Sequence, residues 1–166
     1  MARIDLGGDK VTTYGNLPEL DEKAPHFELI KSDFSIGTLE DFKGMRVIMN
    51  IFPSINTGVC ANSVRNFNQK VSEMKNTTVL CISRDLPFAQ HKFLKEEALG
   101  NVTNLSDFRD RNFGKDYGVE MIDGPWEGLL ARAVIVLNEN GHIIHSQLVP
   151  KIDDEPDYLT ALKTLL

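Results

Sequence analysis

Residues 46–60 read Arg-Val-Ile-Met-Asn-Ile-Phe-Pro-Ser-Ile-Asn-Thr-Gly-Val-Cys, an almost unbroken apolar run that breaks at a proline, crosses a short polar loop and reaches a cysteine. The run Arg46 to Phe52 lacks alternation, which suits a strand covered on both faces. After the loop Pro53 to Gly58, apolar residues fall at Val59, Val64, Phe67, Val71 and Met74, a spacing that only a helix places on one side. A buried strand therefore hands over to a helix here, and ligands in open α/β sheets collect at such carboxyl-terminal strand edges.

Working outward, Ile4 and Leu6, the turn Gly7-Gly8-Asp9 and Val11 to Tyr14 read as a β-hairpin. Ala24 to Ile30 alternates as a half-buried strand does. Thr77 to Ser83 is a second buried-type strand, and Asp85-Leu86-Pro87 opens a helix reaching Leu99. A short strand over Val102 to Leu105 precedes a helix expected to be capped by Ser106, with Phe108, Phe113 and Tyr117 on its faces. Gly118 to Gly128 is irregular. Ala131 to Leu137 and His142 to Val149 flank Asn138-Glu139-Asn140-Gly141, an antiparallel hairpin signal because Asn-Gly tolerates positive φ. Leu159, Leu162 and Leu165 close the chain as an amphipathic helix. The order mixes parallel crossovers with a terminal antiparallel pair, and implies an α/β protein: three layers, helices on both sides of a mixed sheet, in one domain over 1–166.

With 166 residues, 42% hydrophobic and 25% charged, the chain is long enough to bury roughly two thirds of its unfolded surface. This composition excludes a disordered or collagenous chain. Eighteen basic against twenty-four acidic side chains give a net charge of −6, with no basic stripe, which argues against nucleic acid as a partner. No run has membrane-span or signal-peptide character. Cys60 and Cys81 are too few for a secreted disulfide framework, and with scattered His26, His91, His142 and His145 they offer no metal spacing. A reducing, cytoplasmic location is expected, with neither metal nor cofactor. Asp153-Asp154-Glu155 precedes a helix, where the dipole favours acidic residues without any metal. Gly7-Gly8 belongs to a hairpin, and no phosphate-loop motif occurs.

Cys60 falls in the first turn of a helix, where unpaired N–H groups and the positive end of the dipole favour thiolate over thiol. Thr57 can hydrogen-bond a group at the sulfur, and Pro53 can shield it without offering a competing N–H. The alternative, a cysteine that merely packs, suits an apolar strand better than this Gly-containing loop.

The pattern Pro53-x-x-x-Thr57-x-x-Cys60, in the segment FPSINTGVC, resembles the active-site signature of the peroxiredoxins and, within them, of the bacterial thiol peroxidases. Val64-Arg65-Asn66-Phe67-Asn68, Asp85 to Gln90, Leu130 to Val134 and Glu155 to Tyr158 stand at matching distances, so the likeness spans essentially the whole chain. The resemblance implies a thioredoxin-like fold with an N-terminal β-hairpin, a homodimer, and antioxidant reduction of hydrogen peroxide and organic hydroperoxides. It also implies that Cys60 is the peroxidatic cysteine, that Thr57 and Pro53 line its pocket, and that Arg132 holds thiolate and peroxide. A guanidinium stays charged and can stabilise both; otherwise Arg132 would be a solvated charge at a strand start.

The chain departs from the family at Leu94, where relatives carry a resolving cysteine. Cys81 lies mid-strand, where packing makes a thiol inert, and a bridge to Cys60 would need Cα atoms within about 7 Å. The expected cycle therefore uses one cysteine: Cys60 becomes a sulfenic acid, and thioredoxin or another external thiol reduces it. Two rivals remain. Disulfide exchange is disfavoured because Thr57-Gly-Val-Cys60 is not Cys-x-x-Cys, and a redox sensor would keep a reactive Cys60 with little turnover. Trp126 reads equally as packing under its own loop or as part of an apolar rim for bulky hydroperoxides or a partner subunit.

Overall fold

The computed structural model describes all 166 residues. A hairpin, β1 (Arg3–Leu6) and β2 (Asp9–Thr12), precedes a seven-stranded sheet. Leu6 pairs with Asp9, and Gly7 and Gly8 make the two-residue turn with φ of 63° and 99°, a conformation that costs glycine nothing. The sheet comprises β3 (Glu28–Lys31), β4 (Ile36–Thr38), β5 (Arg46–Ile51), β6 (Thr77–Ser83), β7 (Val102–Ser106), β8 (Ala133–Leu137) and β9 (Ile143–Leu148), in the order β4-β3-β7-β6-β5-β8-β9. β5, β6 and β7 run parallel, whereas β8 lies antiparallel to β5 and β9 antiparallel to β8. The helices are α1 (Gly58–Val71), α2 (Pro87–Glu97), α3 (Asn112–Asp116) and α4 (Tyr158–Lys163).

Alternation along the central strands divides the core in two. Val47, Met49, Ile51, Ala133, Ile135 and Leu137 face one side, where Phe113 and Tyr117 cover them. Ile48, Phe52, Val79, Cys81, Val134 and Val136 face the other, beneath Val64, Phe67 and Val71 of α1 and Ala161 of α4. The α/β/α expectation thus stands, with a mixed sheet and the N-terminal hairpin in place. No helix is long and apolar enough to cross a membrane.

Several local expectations change. Ser106 does not cap a helix: it ends β7, paired with Ser83 and Ile30, and its hydroxyl donates to the Asp85 carbonyl. The helix begins only at Asn112, after Arg111 adopts a left-handed conformation with φ of 62°. The strand expected over Ala24 to Ile30 narrows to Glu28–Lys31, since Pro25 has no N–H to pair and its carbonyl instead accepts from the Tyr117 hydroxyl at 2.6 Å. In the 138–141 turn only Gly141 uses positive φ, at 79°, while the Asn138 side chain accepts from the backbone of Asn140 and His142. Asp157 caps α4 by accepting from Thr160 N at 3.0 Å, rather than Asp153, Asp154 or Glu155. Leu159 is 65% exposed, so that helix buries Ala161 in its place. Trp126 is half-buried against Ile4, Leu6, Val11 and Met121, beneath the hairpin.

Candidate active site

The end of β5 fixes the site. Ile51 is paired with Ile82 on one side and Ala133 on the other, and Phe52 N still donates to the Ile82 carbonyl at 3.1 Å. Pro53 then leaves the ladder, buried. Thr57 is the N-cap of α1, with extended φ and ψ of −91° and 146°, and its hydroxyl accepts from Cys60 N at 3.2 Å. One of the orphan donors of the first turn is satisfied in this way. Cys60 is therefore held on that turn, and its side chain is 0% exposed.

Arg132 comes from the other side of β5. Because β8 is antiparallel and Ala133 sits opposite Ile51, Arg132 stands beside the end of β5. Alternation puts its side chain on the face of Val134 and Val136, the face that α1 covers. The guanidinium is buried: Nη1 donates to Cys60 Sγ at 3.2 Å, and Nε and Nη2 donate to the Ile152 carbonyl at 3.0 and 2.7 Å. It pairs with no carboxylate. A buried cation without an anion is costly, and Cys60 Sγ is the one side-chain atom that this guanidinium bonds.

A polar relay that the sequence did not advertise ties α1 to the sheet. Asn50 Nδ2 donates to Ser63 Oγ at 3.0 Å, and Ser63 Oγ donates to the Cys60 carbonyl at 2.7 Å. Its one sequence signal is Asn50 itself, a lone amide in an apolar strand. Asp85 is a second unforeseen member. Expected only at a helix start, it accepts from Ser54 Oγ and Ile55 N at 2.7 Å each.

Of the four residues singled out from the sequence, Thr57 bonds the backbone N–H of Cys60, Arg132 bonds its sulfur, and Pro53 lies buried where β5 gives way to the loop before α1. Cys81 shares the buried cluster of Cys60, and its sulfur accepts from Asn50 Nδ2 at 3.9 Å. It is 0% exposed in mid-strand, and burial pushes its thiol up to about 12, with a hydrogen bond from Asn50 acting the other way. Leu94 packs half-buried against the cluster that contains Cys60 and Phe67. Both cysteines are free. Burial lowers the pKa of His145, with Asp157 acting in the other direction. No group of three or more His, Cys, Asp or Glu is placed to hold a metal ion.

A cavity of about 410 Å³ lies among Leu39, Phe42, Val47 and Leu137 at the opposite end of β5. It holds none of these four residues. A reactant as small as a peroxide needs no such volume, so the chemistry of Cys60 outweighs size here.

The redoxin family profile matches residues 19–162. A thiol peroxidase of Corynebacterium glutamicum and another of Mycobacterium bovis are each 46% identical over 165 residues, covering 99% of this chain and 99% of theirs. A peroxiredoxin-like protein from Aquifex aeolicus superposes with a TM-score of 0.92 at 33% identity, over 99% of this chain and 96% of that one. The chain belongs to the redoxin family and, within it, to the thiol peroxidases.

Proposed function

We propose that the protein reduces hydrogen peroxide and organic hydroperoxides with Cys60 as nucleophile, and that external thiols return it to the reduced state. The observation that carries this reading is the 3.2 Å contact from Arg132 Nη1 to Cys60 Sγ in a buried site. The thiolate attacks one peroxide oxygen, the O–O bond breaks, and the leaving oxygen takes a proton to depart as water or alcohol. Cys60 is left as sulfenic acid. Arg132 is placed to stabilise the negative charge that moves from sulfur to the leaving oxygen. Thr57 holds the first turn of α1, and Pro53 excludes water without donating a hydrogen bond.

A first external thiol then condenses with the sulfenic acid, releasing water and forming a mixed disulfide, which a second thiol resolves. Thioredoxin is the reductant suggested by family membership. The one-cysteine cycle is supported by Leu94 in place of a resolving thiol and by the burial of Cys81. A homodimer rests on the family resemblance, and a cytoplasmic location on a cysteine count, two, too small for a secreted disulfide framework.

Peroxide consumption with dithiothreitol as reductant, in wild type and Cys60→Ser, tests the reading. Sustained consumption that vanishes in the variant is expected. Stoichiometric oxidation of wild type without turnover would favour a redox sensor instead.

A further inference from the structure

Two residues outside the Cys60–Arg132 contact stand side by side where β6 ends. Asp85 reaches toward the Cys60 arm. Its carboxylate accepts from Ser54 Oγ, Ile55 N and Ser83 Oγ, each at 2.7 Å, and no Lys or Arg forms an ion pair with it. Ser54 and Ile55 belong to the segment that runs from β5 into α1. Within that segment Thr57 N donates to the Ser54 carbonyl at 3.2 Å, so whatever holds Ser54 also holds the cap of the helix bearing Cys60.

Arg84 reaches the other arm. Its side chain is 6% exposed and forms a two-pronged pair with Asp107, Nε and Nη2 donating at 2.9 and 2.8 Å, while Nη2 also meets Glu120 at 3.2 Å. Nη1 donates to the Gly128 carbonyl. Glu120 and Gly128 bracket the loop that delivers the chain to Arg132: Glu120 bridges to Leu130, and Ala131 N donates to the Val119 carbonyl at 2.8 Å. The fit is close. A Cβ on Gly114 would lie 2.8 Å from Arg84 Nη2 and 2.9 Å from Leu130 Cδ2.

We propose that Arg84 and Asp85 are paired positioning residues for peroxide reduction, Asp85 fixing the segment that carries Cys60 and Arg84 the segment that carries Arg132. Consecutive residues of one backbone then set the spacing between sulfur and guanidinium from the carboxyl-terminal end of β6, while the β5–β8 register sets it from within the sheet. This rests on the peroxidase reading, because the benefit is an Arg132 aligned on peroxide oxygen as well as on sulfur. A misplacement of about 1 Å in such a pair costs up to about 100-fold in rate.

The test compares Asp85→Asn and Arg84→Lys with wild type in stopped-flow oxidation of Cys60 by hydrogen peroxide, below the melting temperature of each protein. Asn presents a donor where three donors converge, and Lys keeps the charge but loses the fork. Each variant is expected to slow oxidation by about 10-fold to 100-fold, while alkylation of Cys60 by iodoacetamide, which needs no aligned peroxide, changes by less than about 3-fold. Arg84→Lys is further expected to shift the emission of Trp126, the sole tryptophan, and Asp85→Asn to leave it in place. Ser54→Ala and Glu120→Ala remove one contact from each arm and serve if the first pair does not fold; slower oxidation at unchanged alkylation is expected from them too. Folded variants that oxidise at the wild-type rate, or that lose oxidation and alkylation in equal measure, overturn the proposal. A wild type inert to peroxide overturns the peroxidase reading beneath it, and the proposal falls with that reading.

Discussion

Arg132 Nη1 lies 3.2 Å from Cys60 Sγ, and the guanidinium, 2% exposed, has no carboxylate partner. Its remaining hydrogen bonds go to one backbone carbonyl, that of Ile152. The sulfur and the guanidinium thus complete one another electrostatically. Arg132→Met should slow oxidation of Cys60 by about 100-fold to 1000-fold, the loss typical when one donor to a developing oxyanion is removed. Arg132→Lys should recover only part, since a lysine lacks the rigid planar fork with which the guanidinium bonds the Ile152 carbonyl and the sulfur from fixed directions. Stopped-flow kinetics at fixed pH measures both.

Thr57 carries a structural and a chemical duty that substitution separates. Thr57→Val removes the hydroxyl that accepts from Cys60 N and should cost about 1 kcal/mol of stability together with peroxide reactivity. Thr57→Ser keeps the oxygen and should stay near wild type in both. Thermal melts paired with oxidation rates check the pattern.

Cys81 should show in stability against pH rather than in turnover. Burial raises its thiol from 9.0 to about 12. Between those values the unfolded chain binds fewer protons than the folded one, so its contribution is full below about pH 9 and is lost as pH rises toward 12. Tyr117 and Tyr158, both pushed up by burial, add to the loss at the alkaline end. Urea titrations across this range should give a shallower decline for Cys81→Ala, with peroxidase activity at neutral pH retained. A slope identical to wild type would contradict the assignment.

The proposed one-cysteine cycle leaves the Cys60 sulfenic acid waiting for an external partner. Excess peroxide should therefore carry Cys60 to sulfinic acid more readily than in a relative that has a cysteine at the position of Leu94. A peroxide titration followed by assay of remaining activity compares the two, and greater resistance in this protein would contradict slow resolution.

The strand β6 and the β5–loop–α1 unit were readable because each is a local pattern: an apolar run, a breaker, then a 3.6-residue spacing. Pro53, Thr57 and Cys60 lie within one such unit, and a motif could carry them. Arg132 is different. Its sequence clue is the family resemblance together with its place just before the apolar Ala133–Leu137 run; the geometry that brings it to Cys60 exists only because β8 lies against β5. Ser106, Asp85 and Arg84 were misread or passed over because their partners are distant in the chain: Asp85 for Ser106, Ser54 for Asp85, Asp107 for Arg84. No short window contains those pairs. The strand β4, three residues at the sheet edge, is too short for its alternation to register.

The central claim, that Cys60 alone takes the oxygen, is tested most directly by mass spectrometry of the protein after one equivalent of hydrogen peroxide. The account predicts one added oxygen mapped to Cys60, or a mixed disulfide there when a thiol is present, with Cys81 still reduced. A quantitative disulfide between Cys60 and Cys81, or oxygen mapped elsewhere with Cys60 untouched, would contradict it.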